Sequence, residues 1–119
     1  LKDRTRGLIG EPELKAMKDS AYLLNVARGP VVDEKALYEA LVKGEIAGAG
    51  IDTWYRYPDD KETCFPSKYP FHTLDNVVMT PHISGWSDQT ARNRWTFIAE
   101  NIDRIARDET PENVVTQVK

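Results

Sequence analysis

Three short apolar runs alternate with stretches of helical spacing, and each run stops at a residue able to do chemistry. The first, Ala21-Tyr22-Leu23-Leu24-Asn25-Val26, is nearly continuous. It is too short for a core helix and suits a strand buried on both faces. Arg28-Gly29-Pro30 breaks it. Asp33 is placed to cap a helix whose apolar positions, Ala36, Leu37, Ala40 and Leu41, fall on one face, and Gly44 supplies its stop. Residues 46–51 predict a second buried strand, rich in small side chains, that ends at Asp52. Asn76-Val77-Val78-Met79 predicts a third, ending at Thr80-Pro81-His82. Upstream, residues 11–18 predict a short helix with Pro12 in its first turn. Downstream, Ser87 is placed to cap a long helix in which Ala91, Trp95, Ile98, Ile102 and Ile105 form a stripe expected to be buried. Between the second and third strands, residues 53–75 read as one long loop with Trp54, Tyr55, Tyr57, Phe65, Tyr69 and Phe71 along it. Loops of this length are usually functional or interfacial, although a self-packed surface loop is an equal reading. The tail from Thr110 reads as irregular or extended.

Strand, helix, strand, long connection, strand and helix is the order of an α/β, doubly wound parallel sheet with helices on both faces. Ligands of such sheets bind beyond the carboxyl ends of the strands, where Arg28, Asp52 and His82 all lie. Arg28 offers a rigid, permanently charged fork that grips a carboxylate with two hydrogen bonds. Its ordinary alternative is an ion pair with Asp33 or Glu34. His82 follows a stiffening Pro81 and precedes the small-residue turn Ile83-Ser84-Gly85, which suits close approach of a ligand. Asp52 either caps a turn at Thr53-Trp54 or accepts a hydrogen bond from a ligand at this edge. His72, with no strand before it, reads as structural.

Composition narrows the classes. The 119 residues are 40% hydrophobic and 29% charged, as in a globular protein with a real core. A net charge of −3 leaves no basic excess for nucleic acid or an anionic membrane surface, and no apolar run approaches a membrane span. Cys64 is the only cysteine, so no internal disulfide forms, which fits a reducing cytoplasm. It has no basic neighbour in sequence and receives no nucleophilic role. Two histidines and one cysteine, widely separated, make no metal site. Asp59-Asp60-Lys61-Glu62 reads as a solvated loop face. The charged start, Leu1-Lys2-Asp3-Arg4-Thr5, has no initiator Met and no strand pattern, and reads as part of a longer polypeptide.

Four motifs, Thr5-Arg6-Gly7-Leu8-Ile9-Gly10, Asn25-Val26-Ala27-Arg28-Gly29-Pro30, Gly48-Ala49-Gly50-Ile51-Asp52 and Asn76-Val77-Val78-Met79-Thr80-Pro81-His82-Ile83-Ser84-Gly85, occur in this order. Together they closely resemble the D-isomer-specific 2-hydroxyacid dehydrogenases, over roughly residues 1–105. The resemblance implies a two-domain enzyme with its active site in the cleft between a coenzyme domain and a substrate domain. Residues 1–86 would be the second half of the dinucleotide-binding domain. Residues 87–119 would be the crossover helix and tail returning to the substrate domain. The Gly-rich phosphate loop lies outside this sequence, so these residues alone would neither bind the whole dinucleotide well nor turn over substrate.

By the same resemblance the cofactor is NAD or NADP and the substrate a small 2-hydroxy or 2-keto acid. Arg28 would bind the carboxylate, and His82 would be the acid–base. Val26, Ala27, Asp52, Ile83, Ser84 and Gly85, with Arg28 and His82, would line the nicotinamide site. A homodimer is implied as well. One position departs. Family members pair the histidine with a glutamate five residues after the aspartate, and here Tyr57 stands there. A carboxylate stabilises a charged imidazole, whereas a tyrosine gives a neutral hydrogen bond. Formate dehydrogenases likewise place a neutral glutamine there, which opens formate- or phosphite-like oxidation as an alternative. If the long loop shifts the alignment, Asp59, Asp60 or Glu62 supplies the carboxylate instead. A cofactor-sensing corepressor, which shares the Arg and His, is the third reading.

Overall fold

The computed structural model describes residues 2–58 and 63–115. The chain divides into two compact units, Leu1–Ser84 and Gly85–Lys119. In the first, three parallel strands, β1 (Tyr22–Asn25), β2 (Gly48–Ile51) and β3 (Val77–Met79), lie in the order β1-β2-β3. The register sets Leu23 beside Ala49 and Ala49 beside Val77, and sets Tyr22 beside Gly48 and Gly50 beside Val78.

Because side chains alternate across a strand, this register defines two faces. One carries Leu23, Asn25, Ala49, Ile51, Val77 and Met79, and it packs into the core with Leu14 of α1 (Glu11–Ala16) and Leu37 and Leu41 of α2 (Glu34–Lys43). The other carries Tyr22, Leu24 and Val78, each about 70% exposed or more. The expectation of strands buried on both faces is therefore corrected. The parallel Rossmann-type sheet is present, but α1 and α2 of this unit cover one face only. A continuous apolar run requires two covering layers, and this unit supplies one.

The α2 boundaries follow their local signals. Asp33 Oδ1 accepts from the Ala36 amide at 2.8 Å, and Gly44 ends the helix at φ +69°. The long connection is partly core. Trp54 and Phe71 are buried with rings 6.3 Å apart, and Tyr69 stacks on Tyr38 at 5.2 Å. Glu34 at the start of α2 accepts from Ser67 Oγ and from the Lys68 amide, both at 2.8 Å, and so pins the connection to the helix. Phe65 stays exposed and stacks with His72.

The second unit is α3 (Asp88–Ala106) and the segment after it. Ser87 caps α3 by accepting from the Thr90 amide at 3.1 Å. The segment after the helix turns back on it: the Glu112 amide donates to Asn101 Oδ1 at 2.8 Å, and the Glu112 carboxylate meets Arg104 at 2.6 Å. No residue of α3 is buried, and Trp95, Ile102 and Ile105 are each at least 60% exposed. The expected burial of this stripe is corrected: its periodicity is real, but an apolar face is buried only when a second surface lies on it.

Candidate active site

All three strands run the same way, so their carboxyl ends form one edge of the sheet. At the end of β1, Asn25 is buried and organises the turn that leaves the strand. Its Oδ1 accepts from the Ala27 amide at 3.2 Å, and its Nδ2 donates to the carbonyls of Arg28 at 3.2 Å and Gly29 at 3.4 Å. Its carbonyl accepts from the Asp52 amide at 3.1 Å, which ties the exits of β1 and β2 together. The chain then turns tightly over Gly29–Val31, with Gly29 pressed on the Trp54 backbone. Arg28 is left exposed on this turn. Its Nη1 donates to the Ala27 carbonyl at 2.7 Å, and no ion pair with Asp33 or Glu34 forms among the described residues. Among the described residues, four of the five guanidinium N–H groups are left over.

Asp52 follows β2 and is 3% exposed. Its Oδ1 accepts from Thr80 Oγ1 at 2.6 Å and the Ile83 amide at 2.9 Å; its Oδ2 accepts from the Ser84 amide at 3.1 Å and Ser84 Oγ at 2.5 Å. All four acceptor positions of the carboxylate are thereby filled. Burial pushes this carboxyl up, but the Ser84 and Thr80 hydroxyls and the Ile83 and Ser84 amides outweigh it and hold the group well below the ordinary carboxylate range.

These bonds close a loop around His82, joining Thr80 on one side to Ile83 and Ser84 on the other. Within it His82 adopts φ +61°, a left-handed conformation unusual for a residue with a Cβ. The clamp supplies the constraint that such a conformation needs. Trp54 adds another tie, donating from Nε1 to the Thr80 carbonyl at 2.9 Å. The exposed imidazole meets one described side chain by hydrogen bond: Tyr57 Oη lies 2.9 Å from Nδ1. Tyr57 Oη also accepts from the Trp54 amide at 3.0 Å. Tyr57 thus stands against the histidine, as the five-residue spacing from Asp52 expects. Asp59, Asp60 and Glu62, the alternative carboxylates, lie outside the described residues.

The remaining expected residues fall on either side of this loop. Val26 and Ile83, 63% and 55% exposed, leave apolar surface at the edge, with Ala27 between Val26 and Arg28. Gly85 opens the second unit. Cys64 lines, with Tyr57, Trp54, Thr80 and Pro81, a cleft of about 460 Å³. His72 stacks on Phe65. Among the described residues no group of His, Cys, Asp and Glu is gathered for a metal, and no helix is long and apolar enough to cross a membrane. Asn25, Trp54 and Thr80 were not singled out by sequence reasoning. The only advance signal was a polar residue at the end of each apolar run, Asn25 after Leu24 and Thr80 after Met79.

A nicotinamide dinucleotide fits part of this donor set. At this edge Val26 and Ile83 leave apolar surface exposed, and the polar side chains of Arg28 and His82 are exposed as well. Asp52 lies beneath the same edge, where it accepts four hydrogen bonds from Thr80, Ile83 and Ser84.

Known proteins share this architecture. The chain is 42% identical over 117 residues to a glyoxylate reductase of Korarchaeum cryptofilum, covering 98% of this chain and 33% of that protein. It is 40% identical over 115 residues to a D-3-phosphoglycerate dehydrogenase of Methanocaldococcus jannaschii, covering 97% and 21%. It therefore spans a third or less of the length of these relatives. Among solved structures, a D-isomer specific 2-hydroxyacid dehydrogenase from Lactobacillus delbrueckii ssp. bulgaricus in its NAD-complexed form superimposes with a TM-score of 0.84, at 36% identity, covering 98% of this chain and 38% of that one. Residues 1–84 match the model of the D-isomer specific 2-hydroxyacid dehydrogenase NAD binding domain, and the chain belongs to that family of oxidoreductases.

Proposed function

We propose that this chain is part of an NAD(P)-dependent dehydrogenase acting on a small D-2-hydroxy acid and its 2-keto acid, with Arg28 holding the carboxylate and His82 moving the proton. One observation carries the reading. A strained, exposed histidine is clamped by a buried carboxylate at the same sheet edge that presents an exposed arginine with no ion pair among the described residues. Structural histidines do not need that investment.

A bound nicotinamide would supply or accept the hydride. Arg28 would grip the substrate carboxylate with two of its free N–H groups and so fix the neighbouring carbon and oxygen. In oxidation, neutral His82 takes the hydroxyl proton on Nε2 from the tautomer that carries its hydrogen on Nδ1; in reduction, the imidazolium returns the proton from Nε2 to the same oxygen. Asp52 would act through the loop, by holding His82 in place. Residues 1–86 would be the second half of the coenzyme domain, and residues 87–119 the crossover helix and tail returning to the substrate domain.

In the full-length protein, Arg28→Ala should lower kcat/KM for every accepted 2-keto acid by about a hundredfold or more, the scale of losing a charge-assisted pair at a reacting group. Near wild-type values across a panel of 2-keto acids with NADH and NADPH would refute the assignment.

The neutral Tyr57 partner favours a second reading, oxidation of a formate-like donor that has no hydroxyl proton to remove. It predicts activity that stays flat where a histidine titrates, and a bell-shaped profile contradicts it.

A further inference from the structure

The hydrogens around Tyr57 can be directed one by one. The Trp54 backbone N–H only donates, so at 3.0 Å it occupies a lone pair of Tyr57 Oη. His82 Nδ1 lies 2.9 Å from the same oxygen. Neutral imidazole has one N–H and one bare nitrogen. If Nδ1 is bare, the hydroxyl accepts from Trp54 and donates to His82, and both of these hydrogens have a partner. If Nδ1 carries the hydrogen, the hydroxyl accepts twice and its own hydrogen points away from both. Both arrangements make two hydrogen bonds among these groups, but the first uses the phenol hydroxyl as the donor to the basic ring nitrogen and leaves its hydrogen with a protein partner, whereas the second asks the phenol oxygen to accept twice.

We propose that Tyr57 is a positioning residue that sets the tautomer of His82, so that the neutral imidazole presents Nε2–H toward the substrate. The proposal rests on the reading of His82 as the acid–base. A carboxylate at position 57 does the reverse: it only accepts, draws the hydrogen to Nδ1 and leaves Nε2 bare. The two arrangements favour different ligands. Nε2–H donates to a carbonyl oxygen, so neutral enzyme is matched to a 2-keto acid. A bare Nε2 accepts from a hydroxyl, so it is matched to a 2-hydroxy acid. Tyr57 therefore tilts ground-state binding toward the keto acid. Proton delivery itself still uses the imidazolium, in which Nδ1–H turns to Tyr57 Oη as its acceptor. That oxygen then accepts from both Trp54 and His82, and the hydroxyl hydrogen swings outward. Tyr57 is half-exposed, which leaves its hydroxyl hydrogen free to turn toward solvent. Asp52, the carboxylate under the same loop, bonds Thr80, Ile83 and Ser84 and leaves the ring to Tyr57.

The test is the long-range proton–nitrogen NMR spectrum of the full-length protein on the alkaline side of the histidine titration, with His82 assigned by difference against His82→Gln. Wild type should show a pyridine-like Nδ1 and a pyrrole-like Nε2. Tyr57→Phe should move the two nitrogens toward a mixture, and Tyr57→Glu should exchange them. In kinetics Tyr57→Phe should raise KM for the 2-keto acid about two- to tenfold, the scale of one hydrogen bond, with kcat and the KM for the 2-hydroxy acid changing less. A pyrrole-like Nδ1 in wild type, or an unchanged spectrum in Tyr57→Phe, overturns the proposal. The nitrogen signals need neither substrate nor cofactor, so this result stands apart from the Arg28→Ala assay that tests the enzymatic reading.

Discussion

Adding one methyl group at Gly29 should damage both stability and activity. Gly29 is buried where the Arg28 turn meets the loop after β2. A Cβ there would lie 2.3 Å from the Trp54 carbonyl oxygen, 2.4 Å from the Trp54 carbonyl carbon and 2.9 Å from the Tyr55 nitrogen. Ordinary contact requires a separation larger by about 1 Å, so one of two backbones must move. Neither is free to do so. Thr53 and Trp54 are 0% and 5% exposed, and the Arg28 and Gly29 carbonyls are held by Asn25. Overpacking of a core costs about 1–3 kcal/mol, and a clash with backbone on one side and a bonded turn on the other belongs at the upper end of that range.

The same shift moves Arg28 on one side and the Trp54 amide that holds Tyr57 on the other. Urea unfolding should therefore show Gly29→Ala less stable by about 3 kcal/mol, and kcat/KM should fall with it. Gly44→Ala is the control. It adds the same methyl with nothing within 4 Å, but at φ +69°, so it should cost about 1 kcal/mol and leave kcat/KM unchanged. If Gly29→Ala matched wild type in both assays, the close packing of the Arg28 turn on the Trp54 loop would be wrong.

The same loops set three other outcomes. Asp52→Asn presents an NH2 group to at least one pair of donors among Thr80, Ile83 and Ser84, so kcat and thermal stability should both fall. The native Asp52 carboxyl is depressed below its unfolded value of about 3.9, so its contribution is fully present above that pH and disappears as pH falls through the lower native value. Acid unfolding below about pH 4 should accordingly be shallower in Asp52→Asn than in wild type. Trp54→Phe removes the donor to the Thr80 carbonyl while keeping a ring in the core, and denaturant titration should register a loss of about 1 kcal/mol or more.

Much of this arrangement was legible from residue order. Arg28, Asp52 and His82 each follow an apolar run, and parallel strands carry run ends to one edge. Asp33 and Gly44 marked the ends of α2 because capping is local chemistry. Tyr57 was legible as a departure in spacing. Its hydrogen bond to His82 spans 25 residues and became visible only in the fold. The same holds for Asp52, whose partners lie 28 to 32 residues away, and for Asn25, whose side chain folds back over carbonyls that no pattern foretells. The α3 stripe and the Tyr22–Leu24–Val78 face show the limit of periodicity, which identifies an apolar surface and is silent on what lies against it.

The central claim is that Arg28 and His82 serve one substrate. A crystal structure of the full-length protein with oxidised dinucleotide and a 2-keto acid, a combination that cannot react, tests it directly. It should show the carboxylate gripped by the Arg28 guanidinium and the keto oxygen within hydrogen-bond distance of His82 Nε2. A keto acid bound with its carboxylate on other residues, or with the imidazole turned away from it, would contradict the claim.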